Sequence, residues 1–284
     1  MTHILMHSLE HSFCDSLKIL PFLFITYLIM EFLEKKTGEK TNLWLEKAGK
    51  AGPVAGGLLG VIPQCGMSTV ASNLYAGRII SVGTLIAIYL STSDEMLPIM
   101  ISQSVDSTII AKVLVIKVVI AIIAGFLVDF IYHKWKKEEH QEMRIHDFCE
   151  HEHCHCEDGV LKSAVRHTLQ IFIFVLIITF ALNIGIELVG EESLANFILN
   201  KPVLGPVLAG IIGLIPNCAA SVVITQMFLD GLMSFGTMMA GLLVGAGVGI
   251  LVLLRVNEDR RESLRIIGVL YLIGVLCGIL LNVV

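Results

Sequence analysis

The stretch "GLLGVIPQCGMS" at residues 57–68 interrupts an apolar run with a proline, an amide and a cysteine. A second stretch, "GIIGLIPNCAAS" at residues 210–221, repeats the interruption. Proline removes a backbone donor and glycine loosens the chain, so each stretch predicts two short helices separated by a break. The residues that make the breaks are Pro63, Gly66 and Pro216.

The composition is that of a membrane protein. Of the 284 residues, 55% are hydrophobic and 16% are charged, and the mean hydropathy is +0.80. A soluble domain of this length is less apolar. Apolar runs at 19–32, 112–132 and 169–188 are long enough, or nearly so, for a helix to cross ~30 Å of hydrocarbon. We therefore expect an all-α polytopic membrane protein. The first residues lack the basic region of a cleavable signal peptide, so we do not expect one.

The chain is a duplication with a constant register. Cys218 follows Cys65 by 153 residues, and Asn282 follows Asp129 by the same interval. Chance similarity would not keep one register over such a length. The predicted organisation is a first membrane repeat at 1–132, a linker at 133–162 and a second membrane repeat at 163–284.

Loop charge predicts that the two repeats are inverted. Loop 35–50 carries five lysines, whereas its counterpart 188–203 has two glutamates and one lysine. Conversely, loop 255–265 has four arginines and its counterpart 102–112 has one basic residue. Because basic loops stay in the cytoplasm, equivalent loops lie on opposite sides. We expect about five helices per repeat, a cytoplasmic linker and both termini outside.

Paired breaks in inverted repeats predict the central site of a transporter, because backbone groups at membrane depth must line a cavity or be buried in protein. The segments at 52–77 and 205–230 fit either re-entrant hairpins or two short spans. The alternative is that proline and glycine only kink packed helices. The polar residues that recur with the breaks are Gln64, Cys65, Ser68, Asn217, Cys218 and Ser221.

Two adjacent acids lie in the next apolar span, residues 81–100. Asp94 and Glu95 follow three hydroxyl residues in the motif "STSDE", of which Ser91 and Ser93 are candidate ligands. A membrane-embedded carboxylate costs ~2.5–3.5 kcal/mol on insertion scales, so this pair predicts cation coordination or proton exchange. The alternative is that the acids reach the outer headgroups. The matching stretch of the second repeat has glycines and no acid.

The linker is rich in metal-ligand side chains. The sequence "HDFCEHEHCHCEDG" at 146–159 places Cys149, His151, His153, Cys154, His155 and Cys156 among acids. Imidazole and thiolate favour borderline and soft metals, so a flexible metal-collecting loop is predicted, with a solvated polar linker as the alternative. His3, His7 and His11 form one helical stripe that either captures metal or is an interfacial helix face.

These residues carry a resemblance. The motifs "GVIPQCGMS", "STSDE", "CEHEHCHCE" and "GPVLAGIIGLIPNCAASVV" resemble those of the ten-span heavy-metal permease family, whose members are labelled manganese transporters or arsenic-efflux-like permeases. The similarity extends over nearly the whole chain. It implies about five spans per half and the transport, mainly export, of a metal or metalloid, without naming the ion.

The predicted function is a secondary transporter that exports a divalent or heavy-metal cation, such as Zn, Mn, Cd, Co or Ni, across the cytoplasmic membrane. No phosphate-binding loop is present, so we expect no ATP drive from this chain. As a transporter, the protein is not expected to be an enzyme. We expect no tightly bound cofactor and no nucleic acid partner, and the oligomeric state is open. The alternatives are a metalloid permease and a thiol–disulfide electron carrier that uses Cys65 and Cys218.

Overall fold

The computed structural model describes residues 51–62, 65–93, 96–135, 203–257 and 259–283, and separate helical positions between 17 and 28 and between 165 and 184. Within these residues the regular structure is helical. The first half contains α1 (Gly52–Leu59), α2 (Cys65–Ala76), α3 (Val82–Ser91), α4 (Met96–Ser102) and α5 (Ser107–Trp135). The second half contains α6 (Leu204–Gly213), α7 (Cys218–Leu229), α8 (Phe235–Val244), α9 (Gly249–Val256) and α10 (Arg260–Val283).

The two halves repeat the same order of helices. Helix α7 begins 153 residues after α2, and the starts of α8, α9 and α10 follow those of α3, α4 and α5 by the same interval. In each half the first helix packs against the third, and the third packs against the fifth. The interval found in the sequence is thus also the interval between equivalent described helices.

Each predicted break separates two helices. Helix α1 ends at Leu59 and α2 begins at Cys65, while α6 ends at Gly213 and α7 begins at Cys218. Two turn residues and a bend follow α1 as far as Ile62.

A second break, which we did not predict, divides the span expected at 81–100. Helix α3 ends at Ser91 and α4 begins at Met96. The hydroxyl groups of Ser91 and Thr92 donate to carbonyls of the preceding turn, at 2.9 Å for Ala87 and 2.7 Å for Ile88. Such bonds compete with the helical ladder and favour its end.

The second half has the equivalent break without hydroxyl groups. Helix α8 ends at Val244 and α9 begins at Gly249. Gly247 in between has a φ of 53°, a left-handed conformation that a residue with a side chain rarely adopts. Glycine therefore replaces the hydroxyl residues of the first half as the cause of the break.

Among the described residues, four stretches are long and apolar enough to cross a membrane, by length and composition. They are Val82–Ser102, Ser107–His133, Phe235–Val256 and Arg260–Val283. The first and third are largely buried inside the protein, whereas the other two are largely exposed. Exposed side chains such as Val115, Val119 and Ile123 of α5 form the kind of surface that faces lipid. The chain is a multi-pass membrane protein with the broken spans at its centre.

A side chain near the end of α5 forms hydrogen bonds with the start of α3. Asp129 accepts hydrogen bonds from the Gly83 backbone N–H and from the Ser81 hydroxyl, both at 2.7 Å. A Cβ on Gly83 would lie 2.1 Å from the carbonyl oxygen of Gly125, so only glycine permits this helix contact.

The second half has the equivalent pair of hydrogen bonds, with an amide oxygen in place of the carboxylate. We call each pair a clamp. Asn282 of α10 accepts from the Gly236 backbone N–H at 2.9 Å and from the Ser234 hydroxyl at 2.8 Å. A Cβ on Gly236 would lie 2.2 Å from the carbonyl oxygen of Gly278. The two clamps fix the broken spans α3–α4 and α8–α9 against the outer helices.

Candidate functional site

A buried lysine joins the two broken spans. Lys117 of α5 is 1% exposed, and its ammonium donates to the backbone carbonyl of Thr92 and, at 3.0 Å, to that of Leu242. Thr92 caps the C-terminal end of α3, and Leu242 lies in the last turn of α8. Because helix C-terminal ends carry partial negative charge, the ammonium lies where two helix dipoles end.

Lys117 lies well inside the membrane-spanning part of α5. It is ten residues from the start of the helix, or ~15 Å at 1.5 Å per residue, and the hydrocarbon core is ~30 Å thick. It belongs to a buried stripe with Val113 and Ala121, opposite the exposed Val115 and Val119. Its charge therefore faces the protein interior at about mid-depth.

The second half also contacts the first at a glycine. The carbonyl of Gly249, at the start of α9, accepts from the Ser72 hydroxyl at 2.8 Å and from the Tyr89 hydroxyl at 3.1 Å. A Cβ on Gly249 would lie 2.6 Å from the Cβ of Ser68. This close approach places α9 directly on α2.

The predicted polar site residues that are described are buried or nearly so. Ser68, Ser91, Ser93 and Asn217 are each at most 3% exposed, and Ser221 is half-buried. The Ser91 hydroxyl donates to its own helix, and the Ser93 hydroxyl donates to the Ser91 carbonyl at 3.0 Å. Their oxygens are left with lone pairs, which suit a cation more than an anion.

The same residues fall into two groups around the helix ends. Ser91 and Ser93 flank Thr92 and therefore lie beside the contact with Lys117. Ser221 of α7 lies near the end of α8, since its Oγ is 3.5 Å from the Cβ position of Gly245. The structure thus brings a polar residue of each half to a helix end of the same half.

A largely buried ion pair between Arg78 and Glu262 also joins the two halves. The Arg78 guanidinium, in the turn after α2, contacts the Glu262 carboxylate of α10 at 2.8 Å. The hydroxyl of Tyr132, near the end of α5, donates to the same carboxylate at 2.6 Å. Burial lowers the pKa of Arg78, but the hydrogen bond with Glu262 and the nearby negative charges outweigh it, so the pKa stands above its ordinary value.

Arg78 is also strained. Its φ is 58°, a left-handed conformation that costs a side-chain-bearing residue of the order of 1–2 kcal/mol. The guanidinium lies 5.1 Å from the centre of the Tyr75 ring. The pairing with Glu262 and this ring contact favour the arginine despite the strain.

The chain matches the family described as "Putative, 10TM heavy-metal exporter" over residues 1–186 and again over residues 155–284. It belongs to this family. The resemblance noted in the sequence is therefore confirmed. No curated protein and no solved structure matches the chain. Family membership and the apolar helices together make it a multi-pass membrane transporter of the heavy-metal class.

Several predicted site residues of this family member lie outside the described part of the chain. They are Pro63, Gln64, Asp94, Glu95, the linker ligands from Cys149 to Cys156, and the stripe His3, His7 and His11, together with the side chains of Cys65 and Cys218. Of the break residues that are described, Gly66 is buried in α2 and Pro216 is half-buried in the turn before α7. Among the described residues no three His, Cys, Asp or Glu side chains form a metal-binding group.

Sequence reasoning missed Lys117. A lysine inside the run 112–132 is itself a signal, because a charge at membrane depth is costly and functional by default. The repeat strengthens that signal, since the equivalent residue of the second half is Leu270. Arg78 gave a similar signal, because the equivalent residue is Gly231.

Proposed function

We propose that this family member is a secondary transporter that exports a divalent or heavy-metal cation across the cytoplasmic membrane. The observation that carries the proposal is the meeting of the ends of α3 and α8 at Lys117. Each half contributes one broken helix to this point. In transporters built from repeats, discontinuous helices end at the substrate and coupling-ion sites.

Helix-end contacts support an inverted arrangement of the halves. Tyr132, near the end of α5, contacts Glu262 in the first turn of α10. At the opposite ends, the Lys112 ammonium near the start of α5 lies 5.5 Å from the Phe235 ring centre, and Asn282 at the end of α10 bonds to Gly236. Opposite ends of the equivalent helices α5 and α10 are thus neighbours, as expected for inverted repeats.

This arrangement agrees with the loop charges. The loop 255–265, with its four arginines, precedes and enters α10 beside the end of α5, and the linker follows α5. Both then lie on the cytoplasmic side, with the two termini outside. The positive-inside rule and the helix-end contacts are independent arguments for the same topology.

The proposed translocation path uses the residues that follow α3 and those at the breaks before α2 and before α7. Asp94 and Glu95 come directly after Ser93 in the chain and would supply negative charge to a desolvated cation. Cys65 and Cys218 would add soft ligands, and Gln64 and Asn217 would add amide oxygens. The cysteines of such a mixed set favour Zn, Cd, Co or Ni over hard ions, and its carboxylate and amide oxygens also suit Mn. A thiol-reactive metalloid would depend chiefly on the two cysteines.

The linker would act as a cytoplasmic collector of metal. Its ligands, from Cys149 to Cys156, are thiol and imidazole groups that bind the same borderline and soft ions. A collector raises the local metal concentration and leaves the path itself unchanged. Its deletion should therefore matter most when metal is scarce.

The test is metal uptake into everted membrane vesicles, with and without the protein, for a panel of these metals. We expect ATP-independent uptake of at least one metal that a protonophore abolishes. Deletion of residues 146–158 should lower the rate at low metal concentration and leave the maximal rate largely intact. Uptake of none of the metals, together with a disulfide between Cys65 and Cys218 that cycles with a thioredoxin-type partner, would favour the electron carrier.

A further inference from the structure

The Lys117 ammonium lies among backbone carbonyl oxygens of the kind that coordinate a cation. Both of its described acceptors are backbone carbonyls at helix ends, Thr92 of one half and Leu242 of the other. In transporters with broken helices, carbonyls of unwound segments and helix C-terminal ends coordinate the coupling sodium ion or proton. Here a side chain of the protein provides the positive charge.

The carbonyl groups need that charge or an equivalent donor. Each unsatisfied backbone group in a membrane interior costs several kcal/mol, and Lys117 is 1% exposed, so bulk water does not replace the ammonium. Two converging helix ends also leave partial negative charge that a cation offsets. A neutral side chain at this position would leave both effects uncompensated.

The second half has no such cation. The residue equivalent to Lys117 is Leu270, which is 0% exposed and belongs to the apolar core. The tethered ammonium is therefore a property of the first half and does not follow from the duplicated backbone, although both halves contribute a carbonyl to the site. Leu270 also provides a matched control, because truncating it removes a buried side chain of α10 at the equivalent position without removing a charge.

We propose that the carbonyl ends of α3 and α8 form a monovalent-cation site whose permanent occupant is the Lys117 ammonium. The tethered cation takes the role of a sodium or potassium ion, so the wild-type protein needs no alkali cation. Truncation of Lys117 should convert this position into a site that binds free sodium, potassium or methylammonium. This inference concerns the coupling ion and goes beyond the metal substrate of the proposed function.

The experiment measures the thermal unfolding midpoint of the purified proteins in detergent, at constant ionic strength with choline as the reference cation. Wild type, Lys117→Ala and Leu270→Ala are titrated with sodium, potassium and methylammonium chloride. For Lys117→Ala we expect a saturable rise of ~3 °C or more with at least one of the cations, because a ligand that binds only the folded state stabilises it. Wild type and Leu270→Ala should not respond, since an apolar cavity stays dry and holds no ion.

The same titrations can overturn the proposal. A folded Lys117→Ala protein without any cation response, or an equal response of wild type or Leu270→Ala, would exclude the site. If Lys117→Ala cannot be purified folded, Lys117→Met provides the measurement, because methionine fills the space without a charge. Its midpoint should be lower than that of wild type in every salt, and an equal midpoint would contradict the role of the ammonium.

A transport measurement extends the test without replacing it. Metal uptake by Lys117→Ala should increase at least ~10-fold when sodium or methylammonium replaces choline, a change of about 1.4 kcal/mol. Uptake by wild type should be the same in all three salts. Because the unfolding measurement contains no heavy metal, its result stands whether or not the proposed metal transport is found.

Discussion

The two halves share their backbone contacts and differ in their charges. Asp129 and Asn282 hold equivalent helix starts through the same backbone N–H and hydroxyl donors. The residue equivalent to Lys117, however, is the apolar Leu270. The comparison shows that the hydrogen bonds and close glycine contacts recur in both described halves, while the buried charge at the position of Lys117 occurs in the first half and not at Leu270.

The turns after α2 and α7 show the same division. Arg78 and Gly231 are equivalent residues with φ values of 58° and 73°. The backbone therefore needs a left-handed residue here in both halves, which glycine adopts without strain. Only the first half has a side chain at this position, and that side chain pairs with Glu262.

The largest effect that this comparison predicts is on the acids of the first half. Asp94→Asn and Glu95→Gln should leave the protein folded, and at least one of them should remove most metal transport, because a neutral isostere cannot offset the charge of a desolvated cation. The measurement is metal uptake in vesicles with equal amounts of protein. Asp106→Asn is the control, since Asp106 is fully exposed in the loop before α5. Wild-type uptake in both acid variants would contradict the claim that this pair lines the path.

The next effect concerns the ion pair between the halves. Glu262→Gln should lower the free energy of unfolding by about 3 kcal/mol, the lower limit for a buried pair, because it leaves the largely buried Arg78 guanidinium without its charge partner. The double variant Arg78→Gly/Glu262→Gln should regain much of that loss, since it removes the charge and places glycine at the left-handed φ. Unfolding in a denaturant series measures both. The single variant Arg78→Gly completes the comparison. If the double variant loses as much unfolding free energy as Arg78→Gly and Glu262→Gln lose together, the two residues are not coupled.

Glycine contacts should give equal effects in the two halves. Gly83→Ala and Gly236→Ala should each lower the free energy of unfolding by roughly 1–3 kcal/mol, because the added Cβ would meet a backbone oxygen at 2.1 and 2.2 Å. Gly268→Ala on α10 is the control, since a Cβ there meets nothing within 4 Å and alanine favours the helix. A clear loss in one half only would break the structural equivalence.

The smallest effect is expected where the halves differ by one functional group. Asp129→Asn should lower the free energy of unfolding by no more than ~1 kcal/mol, because Asn282 makes the same two bonds with an amide oxygen. Asp129→Ala is the comparison, since it leaves the Gly83 N–H and the Ser81 hydroxyl without this acceptor. If the asparagine variant loses as much as the alanine variant, the carboxylate has a role that the second half lacks.

Much of the fold was predictable because it depends on local physics. The break before Cys65 follows from Pro63, and the equivalent break follows from the constant interval, whereas Gly66, which was expected to contribute, lies inside α2. The break between Ser91 and Met96 was harder to predict, since serine and threonine also occur inside membrane helices. The family was likewise recognisable from motifs alone.

The candidate site was predictable only in part. Lys117 could be recognised as costly at membrane depth, but its described acceptors lie 25 and 125 residues away in the chain. These described acceptors are backbone carbonyls, which every residue has, so no motif distinguishes Thr92 and Leu242 as its partners. The pairing of Arg78 with Glu262, 184 residues apart, was hidden for a similar reason.

Composition, periodicity and repetition were enough to establish a duplicated, multi-pass helical protein with a break near each cysteine of the pair Cys65 and Cys218. In lipid every backbone group must find its partner nearby, so helices and their interruptions are encoded in short stretches of sequence. Tertiary structure alone decided that two helix ends from opposite halves meet at Lys117. That meeting depends on how distant helices pack, and packing depends on the shapes of many side chains together.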